Sequence, residues 1–290
     1  MKIAVTAASG KLGAAIVHAT SELVGSGNVI ALARTPARAQ SLGVEVRAGD
    51  YEDQQGLQTA LTDIDTLLLI SGMDAPDKRI IQHRNVIAAA KAAGVQKIVY
   101  TSIEGPEQGT AFSPIVRSNR QTEEDVKACG LRWAIGRNGI YIEPDLEAIA
   151  QYQDAGEISN CAGDGKCGYT SRAELAAAYA QLLVDSARDG ETCNLHGEPI
   201  TQAQLAAFLS DTYGVPLRYR ALSVADYRAE RIAVHGEFMG TVIAGIYQGI
   251  REGFYDLPSD YEKATGRAHQ SWPDFFADQR AGQSPATPAA

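Results

Sequence analysis

Residues 1–17 read MKIAVTAASGKLGAAIV, and the passage from the apolar run KIAVTA (2–7) through ASG into the helical stretch KLGAAIVHATSELV (11–24) decides how the rest is read. If KIAVTA is the first strand of a parallel sheet, its C-terminal end points at a ligand crevice. The helix that follows then offers free N–H groups and the positive end of its dipole to a pyrophosphate. Glycines at such a turn let a phosphate come close. Here they are Gly10 and Gly13, with Ala7 in the place of a leading glycine. A GxxG after a strand is equally compatible with a plain tight junction, so the surroundings must decide.

Outward from the turn, short β-branched runs alternate with helical stretches as far as residue 137. NVIALAR (28–34), VEVRAG (44–49), DTLLLIS (65–71), KIVYTS (97–102) and LRWAIGR (131–137) read as strands. PARAQSL (36–42), QQGLQTALTD (54–63), RIIQHRNVIAAAKAAG (79–94) and a stretch ending near ACG (128–130) read as helices. Near-continuous apolar strands between helices predict an α/β fold: a Rossmann-type parallel sheet of six strands covered by helices on both faces. Gly94 and Gly130 stand where helix C-caps belong. Beyond Gly139 the alternation loosens. SRAELAAAYAQLLVDSA (171–187) is a strong helix, TQAQLAAFLSDTYG (201–214) is another with Thr201 as N-cap, and PLRYRALS (216–223) suits a strand. The division read here is a dinucleotide-binding domain at 1–140, a smaller, interleaved α/β C-terminal lobe at 141–280, and a flexible Pro- and Ala-rich tail at 281–290.

With 290 residues, 45% of them hydrophobic and 21% charged, the chain is long enough for a substantial core. A formal charge of −9 argues against a nucleic-acid partner, which needs concentrated Lys and Arg. Cysteines 129, 161, 167 and 193 form no CxxC pair and the five histidines no HExxH, so no metal is expected. No apolar run reaches membrane-spanning length, and the N-terminal one is too short for a signal-peptide core, so a cytoplasmic protein without a membrane partner is expected. The helices show no exposed heptad seam, which permits a monomer or a weak homodimer.

The end of the second strand selects among dinucleotides. An acidic residue there would bind the ribose 2′-hydroxyl of NAD, whereas ALARTPARA (31–39) has none and carries Arg34, Thr35 and Arg38. Such a set suits the 2′-phosphate of NADP(H), the alternative being that Arg34 is an exposed strand-end charge.

TAASGKLG, LART, AGDYED, LLLIS, QHRNVIAAAKAAGV, YTS, GRNGIYIE and AGDGK followed by TSRAEL resemble, in order and spacing, the NmrA-like atypical short-chain dehydrogenases, and among them the quinone- and triarylmethane-reducing members. That family usually carries TGATGxLG, from which Ala7 and Ser9 depart, so the turn is expected to shift slightly and still bind. The resemblance implies that Thr6, Ala8, Ser9, Gly10, Lys11 and Leu12 surround the pyrophosphate. It places the 2′-phosphate on Arg34 and the adenine near Asp50. Ser71, Gly72, Thr101, Ser102, Asn138, Gly139, Tyr141, Glu143 and Arg172 would line the nicotinamide side. Each also has a structural role open to it: Asp50 as a helix cap, Thr101 and Ser102 as strand-end partners, Arg172 as a surface charge. Arg137 reads as a structural partner at a strand end.

Members of this superfamily that reduce unactivated carbonyls use a YxxxK pair, in which Lys lowers the tyrosine pKa. None of the twelve tyrosines here has Lys four residues on; Tyr227 and Tyr247 have Arg, far from the expected sheet edge. Asn119 and Glu123 occupy the two positions. An acceptor that is already electrophilic needs little proton help, so a flavin-free NADPH-dependent reductase of quinones, triarylmethane dyes or azo dyes is expected. Tyr141 and Asn138 are the candidate catalytic residues, with Phe112, Phe238 and Tyr247 as candidate pocket walls and Pro144 as a stiffening departure from the family. The leading alternative is a non-catalytic NADP-binding redox sensor of the NmrA type. A benzylic-ether reductase would need a lysine near the nicotinamide, and Lys127 is the sole lysine at 110–130. A sugar-nucleotide epimerase would need the missing Tyr and Lys pair.

Overall fold

The computed structural model describes residues 1–283. Its centre is one parallel sheet containing β1 (Ile3–Val5), β2 (Val29–Ala33), β3 (Glu45–Ala48), β4 (Thr66–Ile70), β5 (Lys97–Ile103), β6 (Arg132–Asn138) and β7 (Thr192–Leu195), in the spatial order β7-β6-β5-β4-β1-β2-β3. Where the sequence predicts six strands there are seven. The added one is the short edge strand TCNL, in which only Cys193 and Leu195 are buried, so it lacks the continuous apolar run by which the inner strands are recognised.

The inner strands show why the fold forms. Every residue of β4 is buried, yet successive side chains serve opposite faces: Leu67 and Leu69 pack into one core layer and Leu68 into the other. One layer joins the sheet to α1 (Lys11–Val24) and to α5 (Arg172–Val184) through Ile16, Val17, Leu175 and Leu182. The other joins it to α2 (Gln54–Ala60), α3 (Pro76–Ala93) and α4 (Ser113–Lys127) through Leu57, Val86, Ala90 and Val126. Thus α5 and β7, both beyond residue 140, are part of the sheet assembly. Gly94 ends α3 in the left-handed conformation (φ +81°).

The remaining C-terminal elements share a separate core of Ile142, Ile158, Tyr169, Leu209, Trp272 and Phe276. Thr201 caps α6 (Gln202–Tyr213) in a full capping box with Gln204. The expected strand appears as Arg218–Ala221, paired in parallel with Glu157–Asn160. Helix α7 (Val224–Arg251) is broken at Gly236 (φ +79°, ψ 168°). Of the expected tail, 281–283 continue α8 (Trp272–Gln283), and 284–290 lie outside the described residues.

Helix α4 is held to the sheet by a buried charge. Glu123 accepts hydrogen bonds from Ser102 Oγ (2.6 Å), Arg120 (2.8 Å) and, through two nitrogens, Arg137 (2.9 and 2.6 Å). Burial alone would raise its pKa, but the Arg137 hydrogen bonds and the Arg120 charge outweigh that and hold the carboxyl below its ordinary value. Removing one member of such a cluster strands the others, so Glu123→Ala is expected to lose about 3–5 kcal/mol of stability in urea denaturation.

Candidate active site

The C-terminal ends of β1, β2 and β4 open onto a cleft of about 570 Å³. Of the residues expected at the cofactor, Ser9, Gly10, Arg34, Asp50, Ser71 and Gly72 line it, together with Ala7, Thr35 and Arg38. This is the end of the crevice where adenosine and a 2′-phosphate belong in a Rossmann fold. Arg34 and Arg38 are exposed and form no ion pair among the described residues, so both guanidiniums are free for a ligand. Asp50 does not cap α2; Asp53 does, accepting from Gly56 N, while Asp50 accepts from Glu52 N beside the cleft.

The turn itself is built by close approach. A Cβ on Gly13 would stand 2.9 Å from Ala8 Cα, so only glycine lets α1 begin against the end of β1. Ala14 N donates the first helical bond, to Gly10 O, leaving the amides of Lys11, Leu12 and Gly13 ahead of the helical ladder and available to an anion. Ala7 takes the left-handed conformation itself, at φ +48°. Thr6 and Ala8 are buried, and Lys11 reaches out to Glu147 (2.7 Å) instead of into the cleft.

Several residues that shape the cleft carry no local sequence signal. Thr6 Oγ1 donates to Tyr51 Oη (2.5 Å), Tyr51 Oη donates to the Ile70 carbonyl (2.8 Å), and Ile70 N donates back to Thr6 Oγ1 (2.9 Å). This closed ring joins the ends of β1 and β4 to the segment after β3. His83 anchors the next stretch. Its Nε2 accepts from Gly72 N (2.9 Å), so the ring is neutral with its proton on Nδ1, which donates to Thr122 Oγ1 (2.9 Å). Burial, helped by the Arg79 charge, drives the His83 pKa down to about 3 and keeps the ring neutral, while the Gly72 N–H fixes the tautomer. Gln82 donates to Asp74 Oδ2 (2.7 Å), and Met73 stands 89% exposed at the rim.

Of the expected nicotinamide-side residues, Ser71 and Gly72 line that cleft, whereas Asn138, Tyr141, Glu143 and Arg172 form a second group outside it. Asn138 Nδ2 donates to Tyr141 Oη (3.1 Å), and Asn138 Oδ1 accepts from Tyr179 Oη (2.5 Å). The hydroxyl hydrogen of Tyr141 therefore remains uncommitted to any partner among the described residues. Burial pushes the Tyr141 pKa up, so the group stays protonated. Arg172 lies over the Tyr141 ring, 5.7 Å from its centroid, and its backbone N donates to Glu143 Oε1 (2.6 Å). Gly139 N donates to the Leu195 carbonyl (3.2 Å).

Thr101 and Ser102 both have internal partners: Thr101 Oγ1 accepts from Ser71 N (2.9 Å), and Ser102 Oγ donates to Glu123. The two positions of the missing YxxxK are equally occupied. Asn119 Oδ1 accepts from Ser71 Oγ (3.0 Å) and Tyr100 Oη (2.7 Å), and Glu123 is locked between arginines. Phe238 lies 61% exposed beyond the Gly236 break. Phe112 is core, packed with Val116 and Val242, and Tyr247 packs edge-on against Tyr227. No group of side chains suited to a metal occurs among the described residues, and no described helix is long and apolar enough to cross a membrane.

Comparisons agree with this geometry. A family described as NAD(P)H-binding matches residues 7–186. The chain is 37% identical to quinone oxidoreductase 2 of Escherichia coli over 231 residues, 78% of this chain and 80% of that one. The solved structure of that enzyme with NADPH superimposes with a TM-score of 0.87 at 32% identity, covering 95% of this chain and 99% of the other. Triphenylmethane reductase of Citrobacter sp., solved with NADP(H), gives a TM-score of 0.87 at 29% identity over 96% and 100% of the two chains. An NmrA-like family domain-containing oxidoreductase of Aspergillus flavus is 32% identical over 229 residues, 76% and 74% of the two. Sheet, phosphate turn and crevice thus define an NAD(P)H-dependent oxidoreductase of the Rossmann class. The chain belongs to the NAD(P)H-binding family and stands within it close to the NmrA-like proteins and quinone oxidoreductase 2.

A non-glycine residue in the left-handed region costs on the order of 1 kcal/mol. Ala7→Gly is therefore expected to raise stability by about that amount, a Tm increase on the order of 2 °C in differential scanning calorimetry.

Proposed function

We propose that the protein is a flavin-free, NADPH-dependent reductase that delivers a hydride to a flat aromatic acceptor of quinone, triarylmethane or azo type. The observation that carries the reading is the fate of the YxxxK positions. With Asn119 and Glu123 both buried and bonded to protein partners, the site has no tyrosine activated by lysine, and only an acceptor that takes a hydride readily suits it.

Bound NADPH supplies the hydride, and a quinone becomes hydroquinone by taking that hydride and one proton. The chain's own residues hold the two partners. The free amides of Lys11 to Gly13 suit the pyrophosphate, and Arg34 with Thr35 and Arg38 suits the 2′-phosphate, with no acidic residue at 31–39 to favour NAD. On the acceptor side, Tyr141 Oη keeps its proton and receives the Asn138 amide, so it can donate to an acceptor oxygen as negative charge grows there.

Purified protein without added flavin is expected to oxidise NADPH in the presence of at least one of these acceptor classes. Tight NADPH binding with no oxidation by any of them would instead indicate a redox sensor. Arg34→Ala should weaken NADPH binding roughly 10- to 100-fold, the worth of a charge-assisted hydrogen bond, and leave NADH binding unchanged in a fluorescence titration. Tyr141→Phe should lower kcat by a similar factor of roughly 10 to 100 without changing the NADPH Kd, in steady-state assays.

A further inference from the structure

Two buried titratable side chains meet above the end of β6. Glu104 follows β5 and His196 follows β7, the strands that flank β6 on either side. Glu104 Oε1 lies 3.5 Å from His196 Nε2. Both side chains are fully buried, and neither carboxyl oxygen of Glu104 nor Nε2 of His196 has another hydrogen-bond partner. The backbone beneath them is bonded to both sides: Glu104 N donates to the Asn138 carbonyl (2.9 Å), and Gly139 N donates to the Leu195 carbonyl. The His196 ring rests where glycines leave room. A Cβ on Gly139 would stand 2.7 Å from His196 Cβ, and one on Gly168 would stand 2.7 Å from His196 Cγ.

We propose that Glu104 and His196 form a strap across the end of β6 that positions Asn138 and Tyr141 toward the acceptor. His196 Nδ1 donates to the Gly197 carbonyl (2.6 Å), so Nε2 of the neutral ring carries a lone pair, and the strap closes when the protonated Glu104 carboxyl donates to it. Burial drives Glu104 up to about 8, with the Arg120 and Arg137 charges opposing and Asp260 adding to the rise. Burial lowers His196 despite the carbonyls of Gly197 and Pro258, with His269 lowering it further and Asp260 opposing. Cys167 and Tyr255, also beside Glu104, are pushed up by burial and stay neutral. At neutral pH the pair is uncharged and closed. As pH rises past about 8, Glu104 becomes a carboxylate facing a lone pair, and the strap opens.

The inference rests on Asn138 and Tyr141 being the acceptor side, and the test separates the two. With a quinone acceptor, Glu104→Ala and His196→Ala should each lower kcat/KM at least tenfold at pH 7, while the NADPH Kd moves less than twofold. Glu104→Gln can donate to Nε2 at every pH, so it should retain activity and abolish a decline that the unsubstituted protein shows above pH 8. Full activity in Glu104→Ala, or persistence of the alkaline decline in Glu104→Gln, would overturn the strap. An infrared difference spectrum, unsubstituted protein minus Glu104→Gln, needs no turnover. It should show a protonated-carboxyl band at pH 7 that vanishes past pH 8, and its absence would overturn the strap even if no acceptor were reduced.

Discussion

The site depends on one close contact, the start of α1 against the end of β1. With a side chain at residue 13 the helix would have to retreat from Ala7 and Ala8, and its uncommitted leading amides would move away from the end of β1. The same contact bends the chain so sharply that Ala7 adopts a conformation glycine would take without cost. Thr6, just before the bend, is then placed to close the hydrogen-bonded ring with Tyr51 and Ile70. Strand ends, cleft floor and phosphate turn are thus one connected unit.

The two ends of the crevice differ in electrostatic character. Around Arg34 and Arg38 cationic groups stand free in solvent and await an anion. Asn138, Tyr141 and Tyr179 are neutral and chiefly hold one another in place, with the charges of Arg172 and Glu143 beside them. The strong charges nearby, Glu123 with Arg120 and Arg137, neutralise each other within the protein. Such a division suits a protein whose cofactor brings the reactive hydride and whose own contribution is orientation.

What could be read from the sequence was whatever had a local physical signature. The fully apolar run TLLLI announces an inner parallel strand, Gly10 and Gly13 announce a close approach, and the absence of an acidic residue in ALARTPARA is visible without a structure. Tyr51, His83 and Gln82 shape the same cleft from segments far apart in the chain, and nothing in their neighbourhoods marks them. Thr101 and Ser102 carried the right motif and turned out to serve internal partners, because hydroxyls at strand ends have several places to go. Phe238 misleads in the opposite way: its aromatic side chain suggests a pocket wall, but beyond the break at Gly236 it stands at the surface. Edge strand β7 escaped because half of it faces outward.

That edge strand also limits how the chain can be divided. The sheet is completed by residues that arrive only after the segment at 138–143 and the short strand at 169–170 have been laid down. A piece ending near residue 140 would leave β6 with a bare row of amides and carbonyls along one side, a template for pairing with other chains. It would also lack α5, which covers Val5, Leu68 and Val99. Recombination between relatives at that point, natural or engineered, would therefore have to carry β7 and α5 along with the front half. The front and rear parts of the chain are thus not interchangeable cassettes.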